Sequence, residues 1–118
     1  MSDPLELRFI KASRILKALS HELRLEVVCG LRREPCTQTF IAQKLGIPQS
    51  TVAQHLKVLR SEGLIKAERR GVEVVFSLAE PRIKDILDAL CQREDEGARY
   101  SWDEIAHFER ARRLGNRA

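Results

Sequence analysis

Apolar residues recur at helical spacing along most of the chain, and the period changes once. Leu5, Phe9, Ala12, Ile15, Leu16 and Leu19 fall three or four residues apart, and Arg8, Lys11 and Arg14 lie on the opposite face. That spacing predicts an amphipathic helix. Asp3 as cap, Pro4 at the first helical position and Glu6 closing a capping box predict where it starts. A second helix is expected from a Ser20 cap, with Leu23, Val27, Val28 and Leu31 as its stripe. Arg32-Arg33-Glu34-Pro35 ends it, because the residue before a proline disfavours helix. Thr37 or Thr39 is the expected cap of a short third helix through Phe40, Ile41 and Leu45, stopped by Gly46. Ile47-Pro48 opens a fourth, whose Val52, Leu56 and Leu59 face inward and which ends at Gly63.

Beyond Gly63 the period becomes two. Segments 64–67 and 72–78 read as strands, with Arg69-Arg70-Gly71 as the turn between them. Val72, Val74 and Phe76 alternate with Glu73, Val75 and Ser77, so the first set is expected to be buried. Pro81 opens a fifth helix carrying Ile83, Ile86, Leu87, Ala89 and Leu90. Glu94-Asp95-Glu96-Gly97 is an acidic break. Ser101-Trp102-Asp103-Glu104 reads as a second capping box, launching a last helix through Ile105, Phe108 and Leu114. Tyr100 and Trp102 are expected to pack that helix onto the body.

The order is α-α-α-α-β-β-α-α: a mainly helical fold with one β-hairpin. A short helix, a turn at Gly46, a second helix and then a hairpin make a helix-turn-helix followed by a wing. The 118 residues form one expected domain, with the helix-turn-helix at 37–60, the wing at 64–78 and a C-terminal helix at 101–114. A chain this short buries a modest share of its surface alone, which favours dimerisation.

The formal net charge of +4 permits nucleic-acid binding without requiring it. Its distribution says more. From Lys44 to Gly71 the cations are Lys44, Lys57, Arg60, Lys66, Arg69 and Arg70, against only Glu62 and Glu68. The fourth helix shows Gln49, Ser50, Thr51, Gln54 and His55 on its outward N-terminal face, side chains able to hydrogen-bond base edges in a major groove. His55 is read equally as a DNA contact or as a satisfied, cap-like side chain. His21, at the start of the second helix, reads as structural. Lys57 and Arg60 suit phosphates, and Arg69 and Arg70 stand at the hairpin tip beside the neighbouring backbone. No apolar run approaches the ~20 residues needed to span a bilayer, and Met1-Ser2-Asp3-Pro4 is no secretory leader. A cytoplasmic location and no membrane partner are expected. Three cysteines, an odd number, do not suggest a disulfide framework.

Leu16-Lys17-Ala18-Leu19-Ser20-His21-Glu22-Leu23-Arg24-Leu25 begins a set of motifs with a known counterpart. It continues with Ile41-Ala42-Gln43-Lys44-Leu45-Gly46-Ile47 and Gln49-Ser50-Thr51-Val52-Ala53-Gln54-His55-Leu56. Leu59-Arg60-Ser61-Glu62-Gly63-Leu64-Ile65 and Phe76-Ser77-Leu78 complete it. Over 13–90 the chain resembles the ArsR/SmtB family of bacterial transcriptional repressors. The resemblance implies a homodimer built from the helices at 1–19 and 81–93. It also implies an inverted-repeat operator in double-stranded DNA, and release by a chemical inducer.

Members of that family sense different chemistries through different ligands. The Cys-x-Cys pair of the arsenite and cadmium type falls here on Thr37 and Thr39, with Cys36 one residue away. The zinc type uses carboxylates and His on the helix after the wing, where this chain has Asp85, Asp88 and Cys91 and no His; His107 lies beyond the acidic break. The sulfide- and persulfide-responsive type has one Cys on the second helix and one after the wing, which Cys29 and Cys91 resemble, Cys91 about one turn earlier than usual. Cys29, Cys91 and Cys36 are therefore the sensing candidates, for a thiol-reactive species or for a metal or metalloid ion. Burial as small hydrophobes is the alternative. Cys36, beside Pro35 in a turn, is expected to be the most exposed. A repressor with no metal or thiol sensing, and a winged-helix module that binds protein rather than DNA, stay open. No catalytic constellation is visible, so an enzyme is not expected.

Overall fold

A computed structural model describes residues 4–91 and 102–105. Helix α1 (Pro4–Leu19) runs into α2 (Glu22–Leu31), β1 (Cys36–Thr37), α3 (Gln38–Leu45) and α4 (Gln49–Ser61). Strands β2 (Ile65–Arg70) and β3 (Glu73–Leu78) form the hairpin, and α5 (Arg82–Cys91) follows. A helical turn at 102–105 returns to the body.

The apolar stripes converge on one core. Val27 and Val28 of α2, Ile41 of α3, Val52 and Leu59 of α4, and Ile83 of α5 are fully buried. Helix α1 contributes only its last turns, through Ile15, Ala18 and Leu19. Leu5, Phe9, Ala12 and Leu16, expected in the same stripe, stand exposed on the single chain. Arg24 Nε donates to the Ala18 carbonyl and so satisfies an open end of α1. Arg32, the residue that closes α2, pairs with Asp88 of α5 and ties those helices together.

Five sequence expectations change. Ser20 does not cap α2: its hydroxyl donates back to Lys17 O, and His21 Nδ1 accepts from Leu23 N–H at 3.1 Å. The extended backbone of His21 puts the imidazole over the open N–H groups, where Ser20 cannot reach. Pro48 is the cap residue of α4 rather than its first helical residue. The sheet has a third strand, in the order β1-β3-β2. The hairpin ladder also runs further than expected, from Ile65↔Leu78 to Arg70↔Glu73, leaving Gly71-Val72 as the turn. A two-residue loop with Gly71 at φ +65 matches the hairpin twist, so Arg69 and Arg70 belong to the strand.

The burial phase of β3 is the fifth change. Val72 is 95% exposed and Val74 is also exposed, while Val75 is buried. The hairpin projects past the body, so its tip has nothing to pack on. Cys36, Thr37 and Phe40 gather around Val75 instead. Phe76 alone of the expected set packs against the core. Among 102–105, Trp102 and Ile105 are buried, as expected for Trp102. Tyr100, Ser101, His107, Phe108 and Leu114 lie outside the described residues.

Candidate nucleic-acid interface

Helix α4 is held from below and left open above. Val52, Leu56 and Leu59, at 0%, 2% and 0% exposure, form the seam that sets its roll. Its start is set from α3. Thr37 Oγ1 accepts from Phe40 N–H and caps α3, and Gly46 ends α3 in the left-handed conformation at φ 64. That reversal costs a side-chain-bearing residue strain and costs glycine little. Across it, Gln38 Nε2 donates to Gln49 O at 3.2 Å and to Gln49 Oε1 at 3.3 Å. Gln49 Nε2 donates in turn to Thr39 Oγ1 at 3.3 Å. The first side chain of α4 is thereby committed to joining the two helices.

The remaining expected residues divide by face. Ser50, Gln54, Lys57 and Arg60 are exposed, and Thr51 and His55 are half-buried. Lys57 and Arg60 share a groove of about 440 Å³ with Gln38, Ala53, Leu56, Ser61 and Phe76, between α4 and the hairpin. His55 does not project freely. Its ring lies 4.5 Å from that of His21, tilted by 50°. Burial first, then the neighbouring His21 and Arg24, hold its pKa below the ordinary value.

On the hairpin, Arg69 Nε donates to Gly71 O at 3.4 Å, and Arg70 Nη2 meets Glu68 Oε2 at 3.4 Å. Both arginines are exposed, and long exposed pairs of this kind hold a guanidinium only weakly. Lys66 is exposed in β2. Lys44 is spoken for: its Nζ lies 2.8 Å from Asp103 Oδ1, and Asp103 is held below the ordinary carboxylate range by that hydrogen bond. Sequence reasoning missed Gln38, and gave Thr39 only as a candidate cap of α3 and as one position of the Cys-x-Cys pair. Their signal was two polar residues directly after the Thr37 cap, at the one helix end that faces the start of the next.

The thiols also need correction. Cys36, expected in an exposed turn, is buried, because β1 pairs with β3 and Trp102 closes over it. Trp102 Nε1 donates to Cys36 Sγ at 3.2 Å. Burial pushes the Cys36 pKa up, only partly offset by that bond, and Glu34 raises it further. Cys29 is buried in the core cluster. Cys91 is the last residue of α5. Among the described residues no group of three His, Cys, Asp or Glu side chains is placed to hold a metal ion. No helix there is long and apolar enough to cross a membrane.

Residues 21–67 match the family described as bacterial regulatory protein, arsR family. The chain is 32% identical over 88 residues to the biofilm growth-associated repressor of Xylella fastidiosa, covering 75% of this chain and 77% of that one. Reduced HlyU from Vibrio cholerae superposes with a TM-score of 0.68 at 28% identity, over 75% of this chain and 97% of that one. A homodimeric winged helix-turn-helix DNA-binding domain from Mycobacterium bovis does so with a TM-score of 0.67 at 28% identity, over 78% and 84%.

Proposed function

Since the chain belongs to the arsR family of bacterial regulatory proteins, we propose that it represses transcription by binding an inverted-repeat operator as a homodimer. It is a transcription regulator with a winged helix-turn-helix, not an enzyme. One observation carries the DNA reading. The outward face of α4 offers Ser50, Gln54 and Lys57 to solvent while the opposite face is locked in the core. A rigid helix with exposed amide, hydroxyl and amine groups suits a major groove, and Arg69 and Arg70 flank it on the hairpin. Thr51, His55 and Gln49 support that face from its edges, and Arg60 reaches the backbone beside Lys57. A symmetric pair presents the face twice, which is what an inverted repeat requires.

The test is enrichment of duplexes from a random-sequence pool, followed by a salt titration on the enriched duplex. Affinity is expected to fall steeply with salt, by a log–log slope of about 0.9 per phosphate neutralised. A chain that enriches no duplex at low ionic strength overturns the proposal and leaves the protein-interaction reading. Transcription measured from the enriched sequence gives the direction of control.

Release by a thiol-directed inducer is the finer part of the proposal. Cys29 lies three residues before Arg32 and Cys91 three after Asp88, and the Arg32–Asp88 pair joins α2 to α5. A bond between the two sulfurs would bind the helix that supports α4 to a helix of the dimer. Diamide, which takes up the two hydrogens, is expected to give a Cys29–Cys91 crosslink by mass spectrometry and to release DNA. A Cys29→Ser variant released as readily as wild type overturns this part alone.

A further inference from the structure

The turn at 102–105 sits on the supports of the helix-turn-helix. The Trp102 ring meets Phe40 of α3 edge-on, at 6.1 Å between centroids and 82°. Its N–H reaches Cys36 of β1, directly before the Thr37 cap of α3. It occupies a notch that exists because residue 30 of α2 is glycine. A Cβ there would lie 2.1 Å from Trp102 Cζ2 and 2.2 Å from Cε2, inside any tolerable contact. Asp103 holds Lys44 at the other end of α3, and Lys44 Nζ lies 5.6 Å from the centre of the Phe40 ring. Helix α3 is thus fastened near its start by Trp102, far along the chain, while the exposed Lys44–Asp103 pair adds little at its other end.

We propose that Trp102 is a positioning residue for DNA recognition. Seated in the Gly30 notch, it fixes α3 and, through the Gln38–Gln49–Thr39 bonds, the start of α4. This rests on the reading of α4 as the DNA-facing helix. An indole buries more apolar surface than most side chains, so its loss leaves the outer side of α3 without a support. An α3 that samples several positions spends only part of its time in the binding arrangement, and apparent affinity falls by that fraction.

Gly30→Ala in the full chain separates seating from helix stability, because alanine is the better helix former. The chain holds one tryptophan, so its fluorescence reports the notch without a label. The expected result is a red-shifted emission, an unchanged helical circular dichroism signal, and an affinity for the enriched duplex at least about fivefold weaker. In a Trp102→Ala background the notch is empty, and adding Gly30→Ala is expected to change nothing further. A red shift with affinity held within about twofold overturns the proposal, as does an unshifted emission or an equal loss in both backgrounds. Should Gly30→Ala lose its helical signal, Trp102→Phe keeps an aromatic side chain but removes the N–H and shortens the ring that fills the Gly30 notch. Weaker binding by that variant supports the proposal and unchanged binding overturns it. A wild-type chain that enriches no duplex sinks the reading of α4 itself, a separate outcome.

Discussion

His55, midway along α4, packs with tilted rings against His21, the residue whose imidazole caps α2, at 4.5 Å between ring centres. Burial is the main reason that His55 resists a proton, and His21 and Arg24 add to it. The unfolded chain therefore binds that proton more readily than the folded one. The contribution is complete above the ordinary value of 6.5 and is lost progressively as pH falls below it toward the folded pKa. The melting temperature is expected to drop between about pH 7.5 and about pH 5.5, and His55→Gln to flatten that part of the curve. Equal pH dependence in the two proteins would remove His55 as the cause.

Gln49 and Gln54 are both amides on α4, yet they are expected to fail differently. Gln54 is exposed, while Gln49 is bonded to Gln38 and Thr39. Gln54→Ala should relax the preference for one base pair, by roughly 1–3 kcal/mol, and leave other positions alone. Gln49→Ala should weaken binding across all sequences, because it loosens the seat of the helix. Enrichment from a random pool by each variant distinguishes them. A uniform loss from Gln54→Ala would show that it reads no base.

Arg70 and Glu68 share the hairpin face at 3.4 Å. DNA competes with Glu68 for the guanidinium, so Glu68→Gln is expected to tighten binding modestly. Arg70→Ala should weaken binding on every sequence and reduce the salt slope by about 1. Fluorescence anisotropy over a range of salt concentrations measures both. An unaltered slope for Arg70→Ala would mean that it touches no phosphate.

The helices were legible because their stripes are long and regular: Val52, Leu56 and Leu59 read as inward-facing and are buried. What escaped was set by residues distant in sequence. Strand β1 is two residues long, too short for any period, and exists only because Cys36 and Thr37 pair with Phe76 and Val75. That pairing and the Trp102 contact turned Cys36 from an exposed turn residue into a buried one. The alternation in β3 was visible, but which face has neighbours depends on how far the hairpin overhangs the body. The exposed polar face of α4 was readable; the commitment of Gln49 and Lys44 to partners was not, since Asp103 lies far along the chain.

Phe9, 68% exposed, lies in line with Leu5, Ala12 and Leu16 along α1, while the neighbouring stripe of Ile15, Ala18 and Leu19 enters the core. Leu5, Phe9 and Ile10 line an open groove, and Leu90 of α5 is 71% exposed. So many large apolar side chains on one short chain suit burial against a second copy. In a two-fold dimer each substitution acts twice. Losing one Phe costs about 1.5–3 kcal/mol, and burying a glutamate in its place adds to that. Phe9→Glu is therefore expected to weaken dimerisation by roughly a hundredfold or more, read by sedimentation equilibrium. The variant should keep its helical signal and lose affinity for a duplex carrying both half-sites far more than for one carrying a single half-site. A wild-type chain that stays monomeric at high concentration, or a variant that pairs as tightly, would rule out this face as the interface.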